Sequence, residues 1–204
     1  MGAYHSGYGD WSRSPHAKTG RTGLVLTMVD CKTSAELPAS SQYSSLQSDL
    51  KSQLIFDHDA YSECLREKKG AVPFLKNSLR EAAEHLNQRF ENGFPISQLV
   101  IARAWYIDQV LLSLWKQCSL DQTEGLALLA VGGYGRAELL PHSDVDLLIL
   151  MSDDLELSTV SSQIELFVTS LFDTNLDIGH SVRNLSECLE HARKDITIAT
   201  NLLE

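Results

Sequence analysis

Positive charge, long apolar segments and closely spaced cysteines are all scarce in this sequence. The 204 residues include 17 Lys and Arg against 27 Asp and Glu, a formal net charge of −10. Proteins that bind nucleic acid non-specifically need a basic surface, so that class of function is not expected here. The acidity does not exclude a nucleotide site, because a bound metal ion supplies positive charge.

The apolar runs are short. None approaches the roughly 18 residues that a transmembrane helix requires, and 24–29 is too short for the core of a signal peptide. The four cysteines include no C-x-x-C pair, so reduced and partly buried thiols are expected. These absences favour a soluble cytoplasmic protein without membrane partners, and a hydrophobic content of 43% suffices for one sizeable core.

The most informative stretch is 126–151, LALLAVGGYGRAELLPHSDVDLLILM. It contains two short apolar runs bounded by turn residues, and such runs predict buried strands. Between them lie a glycine-rich turn and the sequence Ser143-Asp144-Val145-Asp146. The predicted order is therefore a strand, a glycine turn, a short helix, and a strand that begins with two aspartates.

Asp144 and Asp146 are predicted to share one face of that second strand. Successive strand side chains alternate between faces, which puts the two residues about 7 Å apart along the strand. Paired carboxylates repel each other and favour a counter-charge. Mg²⁺ is a suitable one, since it takes hard oxygen ligands and binds phosphates. Gly132 and Gly133 supply the complement, because glycines let a ligand approach the backbone and N–H groups at a helix start hold phosphate oxygens.

A strand, a Gly-Gly turn and an Asp-x-Asp on the next strand resemble the nucleotidyltransferase superfamily of DNA polymerase β. More specifically, GGYGRAELLPHSDVDLLIL resembles the amino-terminal domain of the bacterial PII uridylyltransferase/uridylyl-removing enzymes. Three further stretches are similar to that family: ISQLVIARAWYIDQVLLSLW, LFDTNLDIGHSVRNLSECL and DITIATNLLE. Together they cover roughly residues 74–204, whereas the first 70 or so residues match nothing.

The resemblance implies an α+β, polymerase-β-like nucleotidyltransferase fold, with a small mixed sheet and flanking helices preceded by a helical segment. It also implies transfer of UMP from UTP to a tyrosine of the PII signalling protein in nitrogen regulation, with Mg²⁺ as cofactor. A tyrosine hydroxyl has an unperturbed pKa of about 10, so it needs activation. Two alternatives stay open: a nucleotidyltransferase of other base or acceptor specificity, and an inactive fragment that only binds nucleotide or PII.

The predicted catalytic and metal-binding residues are Asp144, Asp146 and Asp177. The superfamily carries a third carboxylate on a strand beside the Asp-x-Asp strand. Asp177 is the candidate, because it is the only acid in its segment flanked by apolar residues on both sides. A surface aspartate at a strand end is the alternative for Asp177.

Four residues are predicted to bind the nucleotide: Gly132, Gly133, Arg136 and Ser143. The glycines would offer backbone N–H groups to the triphosphate. Arg136 could reach a phosphate with its planar guanidinium, and a salt bridge to Glu138 is the alternative. Ser143 could touch phosphate, but a cap of the turn is favoured.

The chain is predicted to divide into three parts. Residues 1–57 are rich in Ser, Gly and Thr without a sustained period, which is typical of a disordered or foreign extension. A helical segment follows over 58–120, and the nucleotidyltransferase core occupies 121–204. Family members continue into further helices, a phosphohydrolase domain and ACT domains, so the core is expected to be truncated at its C-terminus.

Apolar periodicity predicts helices over 58–92, 97–116, 154–173 and 186–194, and a third strand around 176–182. Ser97 is the predicted cap of the second of these helices. Ser152, Asp153 and Asp154 are the predicted caps of the third.

Overall fold

The structure is a computed structural model, and it describes residues 56–67, 70–196 and 200. Nearly all of the predicted extension over 1–57 lies outside this part of the chain, as does most of the sequence after Ile196. The division of the chain into three parts therefore stays a prediction. Phe56, the first described residue, is buried against Tyr61, Phe74 and Tyr106.

Two helices occupy the region 58–92, which was predicted to be helical. Helix α1 spans His58–Arg66 and is capped by Asp57, whose side chain accepts a 2.8 Å hydrogen bond from the Ala60 N–H. Helix α2 spans Ala71–Glu91. Gly70, just before α2, has φ +84°, a left-handed conformation that glycine adopts readily and that a helix cannot contain.

Helix α3, Ile96–Gln117, forms the centre of the apolar core. It begins after Pro95, so the predicted cap at Ser97 is wrong, and no side chain caps this end. Proline fixes its own φ near the helical value, which suits a helix start without a capping hydroxyl. A 3₁₀ turn, Leu120–Gln122, leads from α3 to the sheet.

The remaining elements alternate between strands and helices. They are β1 (Leu126–Ala130), α4 (Gly132–Gly135), β2 (Val145–Met151), α5 (Leu157–Phe172), β3 (Ile178–Asn184) and α6 (Leu185–Lys194). The sheet order is β1-β2-β3, with β1 antiparallel and β3 parallel to the central β2. This small mixed sheet with flanking helices confirms the predicted α+β class.

One face of the sheet packs on the helices. Val145, Leu147 and Ile149 of β2 are buried in the same core cluster as α3 and α5. Trp115 of α3 packs edge-on against Phe167 of α5, with ring centroids 5.1 Å apart. Because strand side chains alternate, Asp146 lies on the opposite face from this core.

The acidic loop before α5 has a different role from the predicted one. Helix α5 begins after Glu156 and has no side-chain cap, so the prediction that 152–154 cap it is wrong. The Asp153 carboxylate instead accepts hydrogen bonds from the N–H and hydroxyl of Ser186, at 3.1 and 2.9 Å. Asp153 thereby ties this loop to the first turn of α6, which Asn184 and Glu187 close with a reciprocal capping box.

Cys64, Cys118 and Cys188 are free thiols, which confirms the prediction for these three residues. Cys31 lies outside the described part of the chain. Among the helices of the described ranges, none has the length and apolar character needed to cross a membrane. The cytoplasmic location stays a prediction.

Candidate active site

The predicted acids gather at one edge of the sheet. Asp144 comes one residue before β2, Asp177 comes one residue before β3, and these strands pair in parallel with Val145 opposite Ile178. The Val145 N–H donates a 2.8 Å hydrogen bond to the Asp177 carbonyl, which joins the two strand starts. The backbones of the two acids are therefore neighbours, and both side chains are exposed.

The Asp146 carboxylate lies between two glycines. Gly179 is its direct neighbour on β3, and a Cβ atom at Gly179 would overlap with Asp146 Oδ1. On the other side, a Cβ atom at Gly132 would lie 3.1 Å from Asp146 Oδ2. The neighbouring strand β3 and the glycine turn after β1 thus both leave out a side chain at the level of this carboxylate.

The environment of Asp146 raises the pKa of its carboxyl group, first because the group is partly buried and second because Asp144 carries the same charge nearby. No described basic side chain forms an ion pair with either acid. Two hard oxygen donors that repel each other and lack a counter-ion are a donor set suited to a divalent cation.

The side chains of the three predicted metal ligands are not close enough together to hold one metal ion. Within the described ranges, no group of three or more His, Cys, Asp or Glu side chains is close enough to hold a metal ion. Asp144 and Asp146 form a pair of neighbouring acids. Asp177 is joined to them only through its backbone carbonyl, which accepts the bond from the Val145 N–H. A pair still fits Mg²⁺, which commonly takes one or two carboxylates and completes its shell with water and phosphate. The ligand role of Asp177 stays a prediction.

The glycine turn brings a strand end and a short helix against this acid pair. The Val131 N–H, just after β1, donates a 3.0 Å hydrogen bond to the Asp146 carbonyl. Gly132 then takes φ +63°, a left-handed conformation that favours glycine. The turn is closed by bonds from the Gly135 N–H to the Val131 carbonyl and from the Glu138 N–H to the Gly133 carbonyl, at 3.1 and 3.0 Å. Gly132 therefore lies beside the Asp146 carboxylate, and Gly133 follows it in the turn.

A buried tyrosine anchors this turn to α3. Tyr134 lies between the glycines of the turn, and its hydroxyl donates a hydrogen bond to Asp108 Oδ1. Both residues are almost fully buried, at 1% and 5% exposure. The sequence interpretation did not include this pair. The available signal was Asp108 itself, an acid inside the apolar stretch AWYIDQVLLSLW.

Arg136 and Ser143 are at the margin of the site. Arg136 follows the last residue of α4, is exposed, and donates a 3.0 Å hydrogen bond from Nε to Glu138 Oε2. The salt bridge that was the alternative reading of Arg136 is thus present in the structure. Ser143 is partly buried, and its N–H donates to the Leu140 carbonyl at 3.1 Å. A phosphate contact of either side chain stays a prediction.

Comparison with known proteins confirms the resemblance given above. Over 150 residues, which are 74% of this chain, it is 44% identical to the bifunctional uridylyltransferase/uridylyl-removing enzymes of Pseudomonas putida, Ectopseudomonas mendocina and Azotobacter vinelandii. The match covers 17% of each of those proteins, so this chain corresponds to a region of larger enzymes. No family model and no solved structure matches the chain.

Proposed function

We propose that this chain forms a nucleotidyltransferase site. The proposal rests on its homology to one region of the bifunctional uridylyltransferase/uridylyl-removing enzymes. The proposed reaction transfers UMP from UTP to a tyrosine of the PII signalling protein. The observation that carries the proposal is the Asp144–Asp146 pair, without a described counter-ion, beside the glycine turn at Gly132. A glycine turn for the triphosphate and a carboxylate pair for its cation are the two parts that such a transfer needs.

In the proposed step, the tyrosine oxygen attacks the α-phosphorus of UTP. A new phosphorus–oxygen bond to the tyrosine forms, the bond to the bridging oxygen breaks, and pyrophosphate leaves. The phenolic proton passes to a nearby base, for which the exposed Asp177 carboxylate is the candidate in this chain. Asp144 and Asp146 would hold Mg²⁺, which lowers the cost of bringing a polyphosphate and a phenolate together.

The glycines have a steric part in this proposal. Side chains at Gly132 and Gly179 would press on the Asp146 carboxylate, so their absence leaves room for a cation and a phosphate at that carboxylate. The N–H groups at the start of a helix have no intrahelical acceptor, and in this proposal those of Gly132 and Gly133 bind the triphosphate. Arg136 would exchange its bond to Glu138 for a phosphate oxygen.

Calorimetry of the 204-residue chain with UTP, CTP and ATP, with and without Mg²⁺, tests the proposal. Binding that requires Mg²⁺ and is strongest for UTP is the expected result. Asp144→Asn and Asp146→Asn should abolish it, while Asp154→Asn, an exposed acid outside the site, should not. Unchanged UTP binding in the Asp146→Asn protein would refute the assignment of the site.

The alternative function is that of a nucleotide- or PII-binding module without transferase activity, in which the same acid pair and glycine turn hold the nucleotide without catalysing its transfer. Incubation with labelled UTP, Mg²⁺ and PII distinguishes the two, because only the transferase attaches label to PII.

A further inference from the structure

Arg103, in the middle of α3, is a partly buried cation that has no ion-pair partner among the described residues. Its Nε atom is buried and makes no hydrogen bond, and within the described residues the side chain has no ion pair. Three other arginines have a described ion pair, each with a nearby glutamate on the surface: Arg66, Arg80 and Arg136. Arg103 therefore differs from them in both burial and pairing.

A guanidinium in this position is energetically unfavourable unless an anion joins it. Burial lowers the pKa of Arg103 below its ordinary value, because removal from water disfavours the charged form. Arginine nevertheless keeps its proton in proteins, so the positive charge stays. Removal of a charge from water without a counter-ion is therefore unfavourable, and a bound anion would offset it. Among the residues that the structure describes, no acidic side chain supplies that counter-ion.

Arg103 lines an open cleft of about 640 Å³ between α2, α3 and the loop that leads to β3. Two further cations, Lys76 and Arg80, line the same cleft one helical turn apart, and Asn77 and Asn175 contribute amide groups. No acidic side chain is among the lining residues. Two acids bond to lining residues: Arg80 pairs with Glu84 at 2.9 Å, and the Asn77 amide donates to Glu81 at 2.7 Å. Within the described residues, Arg103 and Lys76 are the lining cations without an ion pair.

We propose that this cleft binds a phosphate-type polyanion, with Arg103 as the central contact and Lys76 and Arg80 at the rim. The guanidinium plane matches two oxygens of a phosphate group, and ammonium and amide groups donate to the remaining oxygens. The cleft differs from the proposed transferase site in its chemistry, because it relies on protein cations instead of a metal held by Asp144 and Asp146, and neither acid lines it. The phosphate group belongs either to a free inorganic anion or to a nucleotide.

The test is a titration of the 204-residue chain with sodium pyrophosphate in EDTA at constant ionic strength, followed by calorimetry and by amide NMR. Saturable binding with shifted signals for Asn175 and Leu176 is expected. Arg103→Met should weaken it about tenfold, the loss typical of one charge-assisted contact. Lys116→Met removes an exposed cation of the same helix outside the cleft and should change the affinity less than about twofold.

Absence of saturable binding, or an equal effect of Arg103→Met and Lys116→Met, would overturn the proposal. Arg103→Met is expected to fold, because it removes an unpaired cation from a partly buried position. If it does not fold, the Lys76→Met/Arg80→Met double variant, whose altered side chains are exposed, must show the weakening instead.

The same titration separates this site from the proposed transferase site. Asp146→Asn should leave metal-free pyrophosphate binding unchanged, whereas loss of binding in that variant would assign the anion to the acid pair and overturn the proposal. UTP in EDTA distinguishes the sources of phosphate. Tighter binding of UTP than of pyrophosphate identifies a nucleotide ligand, and equal or weaker binding identifies an inorganic one.

Discussion

Gly179 lies directly beside Asp146 on the neighbouring parallel strand, so close that a methyl group at Gly179 would overlap with the Asp146 carboxylate. Gly132 approaches the same carboxylate from the other side, across the end of β1. The position of Asp146 is therefore fixed by two backbone segments that both lack a side chain at this level. Its accessibility depends on residues that carry no reactive group themselves.

Gly179→Ala should destabilise the protein by about 1–3 kcal/mol, the usual cost of forcing an extra methyl group into a packed position. Urea unfolding of the wild type and the variant measures this difference. Gly133→Ala is the matched control, because its added Cβ would have its nearest neighbour 3.7 Å away, an ordinary contact. Equal stability of the two variants would contradict the close approach.

The double variant Gly179→Ala/Asp146→Ala identifies the atom that causes the clash. If Asp146 Oδ1 is the obstacle, removal of the carboxylate should restore most of the stability lost in Gly179→Ala. If the double variant instead loses as much stability as the two single variants together, the strain lies in the backbone.

The raised pKa of Asp146 predicts a pH-dependent effect of Asp146→Asn in metal-free buffer. Because the folded-state pKa lies above the unfolded value, the folded state holds the proton more tightly, and stability falls as the pH rises between the two values. The gain in the free energy of unfolding on Asp146→Asn should therefore grow from acidic to neutral pH. Thermal unfolding at several pH values measures it, and Asp154→Asn controls for the general loss of a charge. A gain that shrinks with rising pH would show the opposite sign of the shift.

Tyr134→Phe should loosen the glycine turn. The variant removes one hydrogen-bond donor from the buried Asp108 carboxylate, a loss of about 1–3 kcal/mol. Amide hydrogen exchange at 132–135 should become faster, and UTP affinity in Mg²⁺ should fall. Tyr106→Phe is a matched control, since Tyr106 is also buried and its hydroxyl is 2.6 Å from the Ser78 hydroxyl. Tyr106→Phe should lower stability without changing exchange in the glycine turn, and identical exchange profiles of the two variants would argue against the anchor.

Asn184→Ala should cost about 1 kcal/mol of stability, because it removes the cap of α6 and one half of its capping box. Ser97→Ala, in the first turn of α3, should change stability by less than about 0.5 kcal/mol, because Ser97 does not cap that helix. Chemical denaturation of the two variants compares the sites directly. A larger effect at Ser97 than at Asn184 would contradict the observed caps.

The sequence alone determined the elements that carry the chemistry. Two short apolar runs bounded by turn residues specified β1 and β2, because such runs have few alternatives to a buried strand. Strand alternation placed Asp144 and Asp146 on one face, and the spacing from Gly132 placed the turn before them. These features are local, so neighbouring residues are enough to predict them.

Only the tertiary structure decided which residues meet across the chain. Gly179 stands beside Asp146 because β3 pairs with β2 in one particular register, and a shift of one residue would put another side chain there. Tyr134 meets Asp108, and Asp153 meets Ser186, across 26 and 33 residues of sequence. Apolar periodicity carries no information about such contacts, because they depend on how separate elements pack. For the same reason the sequence did not single out Arg103, because the missing hydrogen bond of its Nε atom among the described residues depends on how α3 packs.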